Sequence, residues 1–272
     1  MAPSGSVACA PSLHPVHFAA IGDSFTEGVG DERADGSVRG WGDHVAVGLA
    51  EAAGRPISYA NLAVRGRLLG EIATDQLDAA LSLRPVPTVL TLNGGGNDML
   101  RPRTDVAHLA DLTAGVVARC AEAGVRLVLI SGADPSGGIP LGRVVRRRGE
   151  ALTASIAELA ATHGVAFVDA FHDTELHRPG YWSPDRLHLG APGHRRVAGL
   201  VLAAIQDGVT DAGTGPAPPD PPRSTRVELA YYREHVLPWV GRCARGISSG
   251  DTASAKHPDW VRVVPGVTAR GT

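Results

Sequence analysis

The chain has 272 residues, a formal net charge of −2 and 20% charged against 43% apolar residues. Its length exceeds the ~100–200 residues of an ordinary domain, though α/β domains of ~200–250 are common, so one soluble domain with an appendage is expected. With a sequence pI near 6.6, no global field favours nucleic acid or an anionic membrane surface, which leaves small-molecule chemistry as the better expectation.

Residues 1–15 read as an N-terminal extension without the basic n-region and apolar h-region of a leader. No run approaches the ~18 consecutive apolar residues of a membrane span, and a cytoplasmic protein is expected. An apolar strand at 16–22 follows and stops abruptly at Gly22, delivering Asp23 and Ser24 into a turn. A helix is predicted at 42–53, a strand at 57–63, a helix at 68–81, a strand at 88–93 and a helix at 106–123. Then come a strand at 126–131, a helix at 144–163, a strand at 166–171 and a helix at 192–206; Gly54, Gly124 and Gly164 close three of the helices. Strands alternating with helix-period segments predict a doubly wound, flavodoxin-like α/β/α sandwich with a five-stranded parallel sheet over residues 16–210. In such folds ligands gather at the carboxyl ends of the strands.

Residues 211–223 are Pro-rich and read as a semi-rigid linker. Residues 224–272 form a C-terminal unit. A short helix over 225–237 carries Val227, Ala230, Tyr231 and Leu237 as an apolar stripe, expected to pack on its own domain. From about Gly241 onward the tail is polar and Gly-rich without a clear period, and weak order is expected there. Cys9, Cys120 and Cys243 are odd in number, far apart and never in a CxxC pair, so neither a disulfide framework nor a zinc knuckle is indicated.

A hydroxyl placed where a strand ends and a helix is about to begin is exposed to substrate, and the next backbone N–H groups point toward a developing oxyanion. Ser24 has that position. After the second strand, Gly66 can bring its backbone N–H close to an oxyanion, and after the third, Gly94–Gly96 permit a turn that aims the Asn97 amide inward. A serine nucleophile also needs a base and an acid behind it, and D-x-x-H occurs three times: Asp105/His108, Asp169/His172 and Asp185/His188. Asp105 sits at a helix start, where an acid is favoured by the dipole. Asp169/His172 emerges directly from the fifth strand and competes, but Asp169 is expected deep at the strand end as a loop anchor. Asp185/His188 lies in the loop before the last helix, which can reach over the sheet edge to the first strand, and the base and its acid are assigned there.

Gly22-Asp-Ser24, the segment from Asn61 to Gly66, Gly95-Gly-Asn-Asp98 and Asp185-Arg-Leu-His188 together make the chain resemble the SGNH hydrolases, the GDSL esterases and lipases. The resemblance implies Ser24 as nucleophile and an oxyanion hole from the backbone of Ser24 and Gly66 and the side chain of Asn97. It also implies His188 as base, Asp185 as its orienter, and hydrolysis of carboxylic esters through an acyl-enzyme with no metal or organic cofactor. Thr26 departs from the Leu of the nominal motif. The segment 232–240 is similar to the tail of cytoplasmic actinobacterial members, a less specific likeness.

Short-chain or acetyl esters are the expected substrates, with acyl transfer or thioester cleavage by the same triad, or a non-catalytic module for an acylated ligand or partner, as the alternatives. Nucleic acid and stable membrane insertion are not expected. Asp23 is read as a turn acceptor and Glu27 as a cap or solvated group. Arg143 and Arg146–Arg148 read as a solvated helix face. His163, His172, His177, His188 and His194 crowd the later third without a zinc spacing, so no metal site is assigned. The loops 134–142 and 172–182 are expected to wall the substrate pocket.

Overall fold

The computed structural model describes residues 15–101, 103–140, 142–206, 218–222, 224–238, 250 and 252–266. Five strands, β1 (His17–Ile21), β2 (Ile57–Asn61), β3 (Val89–Leu92), β4 (Arg126–Ile130) and β5 (Ala166–Val168), are parallel. A sixth, β6 (His257–Val263), runs antiparallel on β2, giving the order β5-β4-β3-β1-β2-β6. β1 is central, with Phe18 opposite both Tyr59 and Val89.

The predicted five-stranded sheet is therefore corrected to six strands, and part of the tail expected to be weakly ordered is a strand. β6 lies at the sheet edge and is half exposed, so its sequence never needed the continuous apolar run that marks a strand buried on both faces. Its anchors are local: Trp260 donates its indole N–H to Pro85 O at 3.0 Å and tilts against the His17 ring.

Burial on both faces explains the unbroken apolar run of β1, whose side chains alternate between two cores. Phe18 and Ala20 face α2 (Gly40–Ala53) and α8 (Ala191–Gln206), which contribute Trp41, Val45, Leu49, Val197, Val201 and Ile205. Ala19 and Ile21 face the other layer, where Leu69, Ile72 and Leu77 come from the α3 to α4 segment, Leu109 and Val116 from α6, and Leu152 and Ile156 from α7. Those elements are α3 (Leu69–Glu71), α4 (Leu77–Ser82), α6 (Val106–Glu122) and α7 (Gly142–His163). A π-helical turn, Ile72–Gln76, joins α3 to α4 inside the predicted 68–81 helix.

Two short helices, α1 (Ser24–Glu27) and α5 (Gly96–Met99), occupy the turns after β1 and β3. α9 (Thr225–Tyr231) continues into a π turn, Tyr232–Val236, and opens on Ser224, whose hydroxyl accepts from Val227 N. Its predicted apolar stripe does not hold: Tyr231 is buried, but Val227 and Leu237 are 41% and 65% exposed. Polar contacts to the domain, described below, take the place of the stripe.

The predicted linker lies mostly outside the described residues, as do Cys9 and Cys243. Its described part, residues 218–222, runs past Gly180, whose N–H donates to Asp220 at 3.3 Å. Cys120 is a buried free thiol. Among the described residues no helix is long and apolar enough to cross a membrane.

Candidate active site

The turn after β1 is fixed from below. Gln76, rotated into the core by the π turn, accepts the Gly22 N–H at 2.8 Å and donates to the Gly22 carbonyl at 2.9 Å. A side chain at position 22 would place its Cβ 2.4 Å from Thr26 Oγ1 and 2.8 Å from Asn93 O, so only glycine fits this close approach. Asp23 caps α1 by accepting the Phe25 N–H at 3.1 Å, as expected for a turn acceptor. Burial pushes its carboxyl up to about 6, against the Phe25 hydrogen bond and the nearby His188. Ser24 is the first residue of α1, where backbone N–H groups have no intrahelical partner.

Ser24 Oγ lies 3.0 Å from His188 Nε2, and His188 Nδ1 lies 2.6 Å from Asp185 Oδ2. The other carboxylate oxygen of Asp185 accepts the Ser183 hydroxyl at 2.6 Å and the Leu187 and His188 N–H groups at 2.9 Å each. Burial alone would raise the Asp185 carboxyl, but the hydrogen bond and charge of His188, the Ser183 hydroxyl and the His188 N–H outweigh it and hold the group far below the usual carboxylate range. An ionised Asp185 keeps the imidazole proton on Nδ1, which leaves Nε2 to accept from the serine. An alcohol, an imidazole and a carboxylate in this order can move a proton off the alcohol as it attacks.

The two other D-x-x-H pairs are placed differently. Asp105 caps α6 by accepting the N–H groups of Ala107 and His108. Asp169 and His172 do form a pair at 2.8 Å, but both side chains are largely exposed, at 40% and 48%, and it is His188 that bonds to Ser24. Asp169 anchors its own loop by accepting the His172 N–H, yet its side chain is not deep: β5 ends at Val168, earlier than predicted, and Asp169 is exposed between the buried Val168 and Ala170.

Gly66 sits in the loop after β2 with φ +76°, a left-handed conformation that favours glycine. Its neighbour Arg65 is bound by Glu27, whose carboxylate accepts the Arg65 N–H at 2.7 Å and the Nε–H at 3.0 Å. Glu27 is thus buried and paired, not the solvated cap expected, and it ties the Gly66 loop to α1. Asn97, in α5, donates its amide to Arg67 O at 3.0 Å and to Asp23 Oδ2 at 3.3 Å. The adjacent Asp98 accepts the Leu69 N–H at 3.0 Å, so the β3 turn is stitched to the loop after β2.

Several supporting residues carried little signal in the sequence. His194, fully buried, accepts from Trp41 N at 3.2 Å and donates to Val29 O at 3.1 Å, joining α8 to α2 and the loop after α1. Burial pushes its imidazole down to about 4, only partly offset by Val29 and Asp31. Lys256, at the entrance to β6, donates to Glu27 O at 2.9 Å and pairs with Asp43. Arg148 leaves the predicted solvated face to donate to Met99 O at 2.7 Å, at the end of α5. Among the described residues no group of three or more His, Cys, Asp or Glu side chains is gathered as a metal site. A cavity of about 640 Å³ between α2, α8 and β6, lined by Arg39, His44, Tyr59 and His257 among others, includes none of Ser24, Asp185 or His188.

The fold is shared with solved structures of low sequence identity. The psychrotrophic esterase EstA from Pseudoalteromonas sp. is 19% identical, with a TM-score of 0.55 over 70% of this chain and 97% of that one. The structure described as TesA is 21% identical, with a TM-score of 0.56 over 70% and 98%. Axe2, an acetylxylan esterase from Geobacillus stearothermophilus, is 16% identical, with a TM-score of 0.55 over 71% and 93%. A search of curated protein sequences returns no match. The sequence profile described as GDSL-like lipase/acylhydrolase matches residues 20–196, a span that runs from β1 into α8 and holds Ser24, Gly66, Asn97, Asp185 and His188. The chain belongs to the GDSL-like lipase/acylhydrolase family and is a carboxylic ester hydrolase.

Proposed function

We propose that the protein is a serine esterase in which Ser24 attacks the ester carbonyl, His188 is the general base and acid, and Asp185 holds the imidazole. The observation that carries this reading is the continuous relay from Ser24 Oγ through His188 to Asp185 at 3.0 and 2.6 Å. As Oγ bonds to the carbonyl carbon, its proton passes to His188 Nε2 and the imidazolium is stabilised by the Asp185 carboxylate. The carbonyl oxygen becomes an oxyanion facing the backbone N–H groups of Ser24 and Gly66 and the amide of Asn97. The 3.3 Å contact of Asn97 with Asp23 is the weaker of its two bonds and the one the oxyanion replaces. Collapse of the tetrahedral species expels the alcohol, which takes the proton from His188, and leaves the acyl group on Ser24. Water then repeats the sequence to release the acid.

The substrate is a small ester with an acetyl or short acyl group. Beside His188 stand Asp185, Ser183, Arg186 and Glu228, all held in polar contacts. A long aliphatic chain laid there would strip the remaining water from these charged and polar groups without replacing it, whereas a short acyl group leaves them hydrated. Steady-state rates of wild type and Ser24→Ala across acetyl to decanoyl chromogenic esters test the proposal. Wild type is expected to favour the shortest chains and Ser24→Ala to fall to background. Equal rates in the two proteins would refute the nucleophile, and a rising profile toward decanoyl would refute the substrate class.

A further inference from the structure

We propose that the C-terminal helix α9 is a positioning element of the active site: Glu228 and Tyr231 clamp Arg186 and so hold the Asp185–His188 pair against Ser24. The inference rests on the esterase reading above and adds residues 224–238 to it. Arg186 stands between the proposed acid and base in sequence, and it has φ +57°, a left-handed backbone that only Arg103 shares among the described non-glycine residues. An L-residue with a long side chain rarely holds that conformation unless its surroundings impose it.

Three contacts impose it. The guanidinium binds Glu228 through two parallel hydrogen bonds, Nη1 to Oε2 at 3.0 Å and Nη2 to Oε1 at 2.7 Å. Its carbon lies 4.0 Å above the centre of the Tyr231 ring. A Cβ at Gly138 would stand 2.8 Å from Arg186 Cβ, so the loop after β4 is packed directly against this residue. The Tyr231 hydroxyl donates to the Gly138 carbonyl at 3.1 Å and closes the ring of contacts. A two-point fork with a stacked face restricts orientation as a single charge contact cannot.

The clamp acts on a small closed turn. Arg186 N–H donates to Ser183 O, Ser183 N–H donates to His188 O, and Asp185 accepts from Leu187 and His188. Arg186 is the corner of this turn, so a change of its backbone region rotates the peptides that carry Asp185 and His188. Side-chain exposures of 29% and 42% make the Arg186–Glu228 pair a weak source of stability. What the arrangement supplies is the angle at which the imidazole meets Ser24.

The test compares Arg186→Ala, Arg186→Gly and Glu228→Ala in the full chain. Steady-state acetyl ester kinetics are normalised to Ser24 content titrated with a phosphonylating reagent, with thermal melts alongside. Arg186→Ala and Glu228→Ala are expected to lower kcat about tenfold with KM within about twofold, the signature of a misaligned but intact site. Arg186→Gly, which adopts the left-handed corner without strain, is expected to recover at least a third of the wild-type kcat. Unchanged kcat per titrated site in Arg186→Ala and Glu228→Ala, whether or not the melting temperature falls, overturns the clamp. An Arg186→Gly enzyme no better than Arg186→Ala overturns the role of the backbone corner. A wild-type protein that neither turns over esters nor reacts with the reagent overturns the esterase reading beneath it, an outcome distinct from active wild type with unaffected variants.

Discussion

Replacing Asp185 by Asn probes the link between a carboxylate and the protonation of the imidazole it holds. One Asp185 oxygen accepts three donors, the Ser183 hydroxyl and the N–H groups of Leu187 and His188. Two of those donors are backbone groups and cannot reverse, so an Asn side chain must keep its oxygen there; turning it round would leave two N–H groups facing an NH₂, at about 1–3 kcal/mol each. The amide NH₂ therefore takes the place of the oxygen 2.6 Å from His188 Nδ1. Nδ1 must then accept, the ring proton moves to Nε2, and that nitrogen faces the Ser24 hydroxyl as a donor. Ser24 loses its base while every heavy atom stays in place.

The expected loss in kcat is about 10³–10⁴, or ~4–5.5 kcal/mol of barrier, the scale on which a wrong tautomer acts in a serine triad. The measurement is kcat for an acetyl ester with Ser24 content titrated and the fold checked by melting. Asp169→Asn is the matched control: it alters the exposed pair with His172 and is expected to stay within about threefold of wild type. Asp185→Asn within tenfold of wild type would refute the argument, and a collapse in Asp169→Asn would move the base to His172.

Asn97→Ala is expected to lower kcat by about 10²–10³ through loss of one oxyanion donor, read from the same ester assay. Gln76→Leu leaves the Gly22 N–H buried without a partner and the Gly22 carbonyl with the Val64 N–H alone, so chemical denaturation should report a loss of about 1–3 kcal/mol. The third expectation concerns pH. His194 has its folded value at about 4, below the ~6.5 of the unfolded chain, so the unfolded state takes up the proton first as pH falls. Stability is lost below about pH 6.5 and the loss levels off near pH 4, with about 2 kcal/mol gone between pH 7 and pH 5. Denaturation curves of His194→Gln should show that much less dependence on pH over the same interval; an equal slope would contradict the assignment.

The parallel core was legible because its strands are buried on both faces, and continuous runs such as Phe18–Ile21 have no other use in a chain of this polarity. The candidate site was legible for a related reason: Ser24, Gly66, Asn97 and Asp185/His188 each follow a strand or lead into a helix, where backbone geometry limits what a residue can do. β6 was not, because an edge strand with an exposed face satisfies its hydrogen bonds through β2 and needs no apolar signal. Glu27 was misread for want of its partner: nothing local to position 27 announces Arg65, 38 residues away, and a glutamate's default is solvent. The same applies to α9, where an apolar stripe was sought and polar contacts to Arg186 and Gly138 were found. Gln76 did leave a trace, a polar residue on the buried side of a helix-period segment, but the π turn that aims it at Gly22 has no period of its own.

The segment that matches the family profile ends at residue 196, yet the chain beyond α8 returns to the site at two separate points. Lys256 binds the Glu27 carbonyl at the end of α1, three residues after Ser24. Glu228 and Tyr231 hold Arg186 and Gly138, on the loops that follow β4 and precede α8. One contact steadies the helix that carries the hydroxyl, and the other steadies the turn that carries the imidazole. A relay of 3.0 and 2.6 Å depends on the relative placement of those two pieces, and the tail contacts both of them. In the proposed mechanism the motif residues thus set what chemistry is available, while the alignment on which its rate depends is shared with a part of the chain that carries none of the motifs.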